Sequence, residues 1–210
     1  KAHGVAATDP SQSVRVPVEI DFAGLARVPA NVTASKLTAI YGKGGKVVVT
    51  IPDGTGDVTL KVATWSKTGS LANGRSTFTI PRTLRGGKHT AKVSYAGSSA
   101  HLPSTGTTTV WVKRAVTKTS VTVTRVPKRK KTGAAVVRVK NTSKTGIAPT
   151  GKVRVVLRKG KKSVARQGWL RNGKVNIVLP KGAKGVWKAT FTYQGQTGNF
   201  LGSAKTVSFR

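Results

Sequence analysis

Apolar and polar residues alternate along much of the chain, most cleanly after Gly151. Val153, Val155 and Leu157 fall on one side of an extended segment and Lys152, Arg154 and Arg158 on the other, because successive side chains of a strand point to opposite faces. Val175, Ile177 and Leu179 repeat the pattern after Asn172-Gly173, two residues suited to the positive φ angles of a type I′ hairpin. Trp187, Ala189, Phe191 and Tyr193 alternate in a later segment and carry bulk for a core, and Val137 and Val139 do so in an earlier one. Short strands with Gly-rich turns and no helical period predict a sandwich with one buried and one solvated face per sheet.

The pattern occurs twice, at an offset of 95 to 99 residues. Gly56-Asp57-Val58-Thr59-Leu60-Lys61-Val62 aligns with Gly151-Lys152-Val153-Arg154-Val155-Val156-Leu157, Asn73-Gly74 with Asn172-Gly173, and Pro81 with Pro180. Thr90 to Gly97 aligns with Lys188 to Gly195, which sets Leu102 opposite Phe200. Colinear order over such a span is the mark of an internal repeat. The expected division is a lead segment 1–33, a first domain 34–114 and a second domain 115–210, joined between Lys113 and Thr117. So short a linker restricts swing and favours a semi-rigid rod. Within the lead, Val14 to Phe22 alternates like a strand with Pro17 at an edge position. It is expected to be either the tail of a preceding domain or a strand that pairs with another subunit.

Charge adds a functional constraint. The chain has 38 Lys and Arg against 5 Asp and Glu, a net charge of +33, and no carboxylate side chain follows Asp57. The second repeat therefore has no side-chain salt bridge to draw on. Its stability must come from apolar burial and the backbone ladder, and its screening from anions or an acidic partner. The alternative is charge merely tolerated in solvent, since charge reports on association and not on fold. Without cysteine there is no disulfide or thiol nucleophile. No run approaches eighteen apolar residues, so no membrane span is expected. The start at Lys1, without Met, is expected of a mature or excised piece of something longer.

Ser120 to Phe209 resembles the bacterial Ig-like repeat domains that occur in tandem in secreted and surface proteins. The residues that carry the resemblance are Pro149-Thr150-Gly151-Lys152-Val153, Asn172-Gly173-Lys174-Val175, Leu179-Pro180 before a glycine-bearing turn, and Ala189 to Gly195 with Phe200 and Gly202-Ser203 beyond. The first repeat carries a weaker copy in Gly56, Asn73-Gly74, Ile80-Pro81, Gly86-Gly87 and Ala91 to Gly97. The resemblance implies an all-β protein: two tandem immunoglobulin-like β-sandwiches with an N-terminal extended lead segment, serving as stalk, spacer or adhesive module outside the cell. It implies no catalytic residues and no cofactor. Such repeats often carry Gly-Asp after the tyrosine strand, whereas Gly97 precedes Ser98 and Gly195 precedes Gln196 here.

Acid-base or nucleophilic chemistry needs His, Cys or paired carboxylates. The second repeat contains none of these; in the first, His89 and His101 could pair with Asp53 or Asp57, but both histidines read as surface or strand-edge residues. Metal binding lacks its ligand clusters. Leu102-Pro103-Ser104-Thr105-Gly106 matches a sortase sorting motif, but a whole domain follows it, and it reads as a loop entering a strand. The candidate polyanion-binding residues are Lys128, Arg129, Lys130 and Lys131, joined by Arg158, Lys159, Lys161, Lys162 and Arg171 if the loops gather at one end of a sandwich. Trp65, Trp111, Trp169 and Trp187 read mainly as core or sheet-packing residues. The expected function is a non-catalytic, secreted or cell-surface spacer and adhesion module. Its expected partners are acidic wall polymers, extracellular DNA or an acidic protein surface. The alternatives are a structural or decoration subunit of a filament or virion, assembling as a homo-polymer or larger body by strand addition, and the C-terminal accessory region of a secreted hydrolase.

Overall fold

The computed structural model describes residues 26–181 and 187–209, and its strands follow the period-two rule read from the sequence. The alternating segment Val14 to Phe22 lies outside the described residues. The first sandwich comprises β1 (Thr33–Ala34), β2 (Leu37–Ile40), β3 (Gly45–Thr50), β4 (Asp57–Val62), β5 (Trp65–Ser70), β6 (Arg75–Ile80), β7 (Gly87–Tyr95) and β8 (Ser104–Lys113). The second comprises β9 (Thr117–Arg125), β10 (Gly133–Asn141), β11 (Gly151–Lys159), β12 (Lys162–Leu170), β13 (Lys174–Leu179), β14 (Trp187–Tyr193) and β15 (Ser203–Phe209). Sheet β1-β3-β6 faces sheet β2-β8-β7-β4-β5, and sheet β13-β10-β9 faces sheet β12-β11-β14-β15. The all-β tandem sandwich expected from the pattern is the observed fold.

Each sandwich encloses its own core. Val47, Val49, Val58, Leu60, Phe78 and Val93 are buried in the first, and Val137, Val153, Val155, Leu157, Phe191 and Tyr193 in the second. With no acid side chain after Asp57, this burial and the ladders hold the second sandwich together, at roughly 25 cal/mol per Å² of apolar surface removed from water.

The repeat is exact enough to compare position by position. Val58 pairs with Tyr95 in one unit and Val153 with Tyr193 in the other. Each tyrosine hydroxyl donates to the carbonyl just before the facing strand, Tyr95 to Thr55 and Tyr193 to Thr150, both at 2.8 Å. Asn73-Gly74 (φ 50° and 71°) and Asn172-Gly173 (φ 49° and 71°) have the paired positive angles of the type I′ turn.

Two positions differ from those expected from the sequence. Val28 bridges His101 in parallel as Ala115 bridges Phe200, and Leu102 N donates to Val28 as Leu201 N donates to Ala115, both at 2.9 Å. The counterpart of Leu102 is therefore Leu201, one residue beyond Phe200. The segment 28–34 is the counterpart of 115–121, with Ala30 buried in the first core. The boundary drawn between 33 and 34 thus falls inside β1, which pairs with β3. The chain then crosses between sheets, and β2 runs parallel to β8.

β8 and β9 are separated by residues 114–116 alone. The Tyr41 ring meets Phe200 edge-on at 5.3 Å between centroids and 81° between planes. Gly86 N donates to Asn199 Oδ1 at 3.3 Å, and a side chain at Gly86 would fall on the Gly198 carbonyl. Covalent brevity, one aromatic wedge and this close backbone approach fix the joint.

Burial pushes the Tyr193 hydroxyl up to about 12 from the usual 10.0. A raised folded-state pKa favours the neutral form on folding, so its contribution is complete below pH 10 and is lost as pH rises through 12. Wild type is expected to lose stability across that window relative to Tyr193→Phe, because lysine deprotonation affects both proteins alike. Melting curves scanned over pH check this, and parallel curves for the two proteins would contradict it.

Candidate polyanion-binding surface

Strand direction decides which basic residues meet. β9, β11 and β13 all run away from the joint, so the β9–β10 loop, the β11–β12 hairpin and Pro180-Lys181 share the free end of the second sandwich. β14 starts there too, at Trp187, since Arg158 pairs with Lys188. A groove of about 480 Å³ at this end is lined by Lys159, Lys161, Lys162, Lys181 and Trp187.

Four adjacent cations repel one another, so something must hold the Lys128 to Lys131 run. Lys128 N donates to the Lys131 carbonyl at 2.9 Å and Lys131 N to the Lys128 carbonyl at 3.2 Å, making a closed turn with Arg129 and Lys130 at its tip. At its base Arg125 Nε donates to the Thr132 carbonyl at 2.8 Å, and Pro127 is buried. All four side chains of the run are exposed. This is a backbone-defined turn that projects charge.

The β11–β12 hairpin at the same end differs from its counterpart. In the first unit Val62 pairs with Trp65 across Ala63-Thr64. The equivalent pair in the second, Leu157 with Val164, is followed by two further rungs, Arg158 with Ser163 and Lys159 with Lys162. The added rungs and the turn that closes them carry Arg158, Lys159, Lys161 and Lys162. The first unit's short hairpin lies at the joint, whereas the extended one projects from the free end.

Eight of the nine predicted cations gather at that end, and Arg171 does not. β12 carries the chain back toward the joint, so Arg171 sits nine residues of extended chain from Lys162, about 30 Å at 3.3 Å per residue. That is several screening lengths at physiological salt.

Two tryptophans also depart from expectation. Trp187 is 8% exposed, as the alternation requires, but Trp111 is 40% and Trp169 64% exposed. Lys88 and Lys113 lie 5.4 and 4.8 Å from the Trp111 ring, and Lys152 lies 4.7 Å from that of Trp169, within cation–π range. His89 and His101 do not meet. His89 pairs with Val110 near the start of β7, and His101 lies beyond its far end at Tyr95, about 20 Å away along the strand. His89 Nε2 is 2.7 Å from the Arg85 carbonyl, and Asp57 accepts from Ser70 Oγ at 2.7 Å. No cluster of three or more His, Asp or Glu occurs among the described residues. Ser104, Thr105 and Gly106 of the sortase-like motif open β8, where Ser104 Oγ donates to the Ala30 carbonyl at 3.0 Å.

No protein-family model matches the chain, and no curated protein matches it. Among solved structures, a two-domain fibronectin type-III segment of chicken tenascin is similar over 86% of this chain and 99% of its own, at 10% identity and TM-score 0.45. The D0-D1 domains of intimin are similar over 85% and 97%, at 15% identity and TM-score 0.30. Fibronectin(III)-like modules of Clostridium thermocellum CbhA are similar over 85% and 92%, at 14% identity and TM-score 0.31. These neighbours are tandem fibronectin type III or Ig-like modules.

Proposed function

We propose that the protein is a non-catalytic spacer and adhesion module of the bacterial exterior, whose second sandwich holds an extended acidic polymer at its free end. One observation carries the reading: eight cations from the β9–β10 turn and the β11–β12 hairpin lie at one end, with no carboxylate side chain in that half of the chain to neutralise them. Phosphate contacts of this kind position a polymer without reading sequence, and their driving force is release of condensed counterions. Wall polymers and extracellular DNA share the required chemistry.

Changing Lys128, Arg129, Lys130 and Lys131 together to Ser tests this. With duplex DNA as probe, the salt dependence of log affinity should become shallower by about 3 to 4, at roughly 0.9 per phosphate contact. The melting temperature should not fall, because the turn is held by its backbone. An unchanged slope would place the contact surface elsewhere.

A further inference from the structure

The joint-side flank of the second sandwich carries a feature that charge alone does not explain. Trp169 lies on β12, an edge strand of its sheet, paired with Lys152 whose ammonium covers the ring at 4.7 Å. Beyond the ring opens a niche of about 270 Å³ lined by Trp169, Arg171, Lys174, Val175 and Asn176. Its two cations are set by the type I′ turn, with Arg171 N donating to the Lys174 carbonyl at 2.9 Å and Lys174 N to the Arg171 carbonyl at 3.0 Å. Arg154, one period along β11 from Lys152, extends positive charge over the outer face of the sheet.

The first repeat shows that the fold does not require this chemistry. The counterpart pair to Lys152 and Trp169 is Asp57 and Ser70, joined by a 2.7 Å hydrogen bond. The counterparts of Arg171 and Lys174, which bridge each other as those do, are Ala72 and Arg75. The backbone is the same, yet the second unit has a large exposed ring in place of Ser and a cation in place of the acid. An exposed tryptophan does not contribute to a core, and here it is flanked by three cations.

We infer that the Trp169 niche binds a nucleotide of a single-stranded nucleic acid, the base stacking on the indole while Arg171, Lys174 and Lys152 take the flanking phosphates. An electropositive surface with an aromatic platform is how single strands are held without sequence preference, because every base has a π face. In a duplex those faces are already stacked, and an acidic polymer without rings gains nothing from the indole. The inference rests on the polyanion reading above and narrows its ligand class.

The test compares three probes: an oligothymidine, a duplex of similar length and inorganic polyphosphate. Trp169→Ala should weaken oligothymidine binding about 5- to 150-fold, the range for loss of one base stack, and leave duplex and polyphosphate within twofold. Trp169→Phe, which keeps a ring, should recover most of the oligothymidine affinity and guards against an effect on folding. Equal losses on all three probes, or no loss on oligothymidine, would overturn the niche while leaving polyanion binding intact. Failure of the unaltered protein to bind any probe would overturn both readings.

Discussion

Phe191→Ala is expected to destabilise the second sandwich by about 3–5 kcal/mol. Phe191 is fully buried, pairs with Val155 across β11 and faces Lys205 across β15, so truncation leaves a cavity amid strands that have no ion pairs in reserve. Typical domains are stable by about 5–15 kcal/mol, so the loss is a large share of the total. The first sandwich has Val93 at the equivalent place in its own core, and it loses only what the joint provides, through contacts such as Tyr41–Phe200 and Gly86–Asn199. Calorimetry of the variant should therefore show two transitions, the lower one belonging to the second sandwich. A single transition, shifted as a whole, would mean that the two cores unfold as one unit. Polyanion binding is a poor readout for this variant, because an unfolded polycation also neutralises phosphates.

In the second unit β10, β11, β13 and β14 were legible because each alternates a buried row with a more exposed one. Val153, Val155 and Leu157 against Lys152, Arg154 and Arg158 leave no choice of face, and a slip of one residue would invert them all. The Asn-Gly turns were legible for the same local reason, since their φ angles suit few other pairs. The start of the first unit was not. Val28 to Val32 contains Pro29 and Asn31 and makes one isolated bridge before β1 pairs with β3 over two residues, so no alternation marks it. The slip at Leu102 arises because Gly97 to His101 is one residue shorter than Gly195 to Phe200, an offset that only the backbone bridges reveal.

The site was legible in composition and only partly in geometry. The Lys128 to Lys131 run and the Arg158 to Lys162 hairpin share one end of the sandwich because both cap strands leaving the joint. Arg171 also lies in a loop, but loops gather at two ends, and β12 returns the chain to the other one. The exposed tryptophans did leave a signal. Trp111 stands between Val110 and Val112, both buried, so a strand through these residues must turn the indole outward. Trp169 stands beside Leu170, which is buried, and is outward for the same reason. Parity along the strand therefore outweighs the general preference of tryptophan for interiors.

The most direct test of the account is one salt series read two ways. Between 50 and 200 mM salt, affinity for duplex DNA should fall by about 10³- to 10⁴-fold if six to eight of the free-end cations contact phosphate. Over the same series the melting temperature of the unliganded protein should rise, because screening relieves repulsion among charges that have no acidic side chains near them. Opposite signs in the two readouts are the expected result. Affinity that stays flat across the series would contradict the claim that a preformed cationic end holds the polymer.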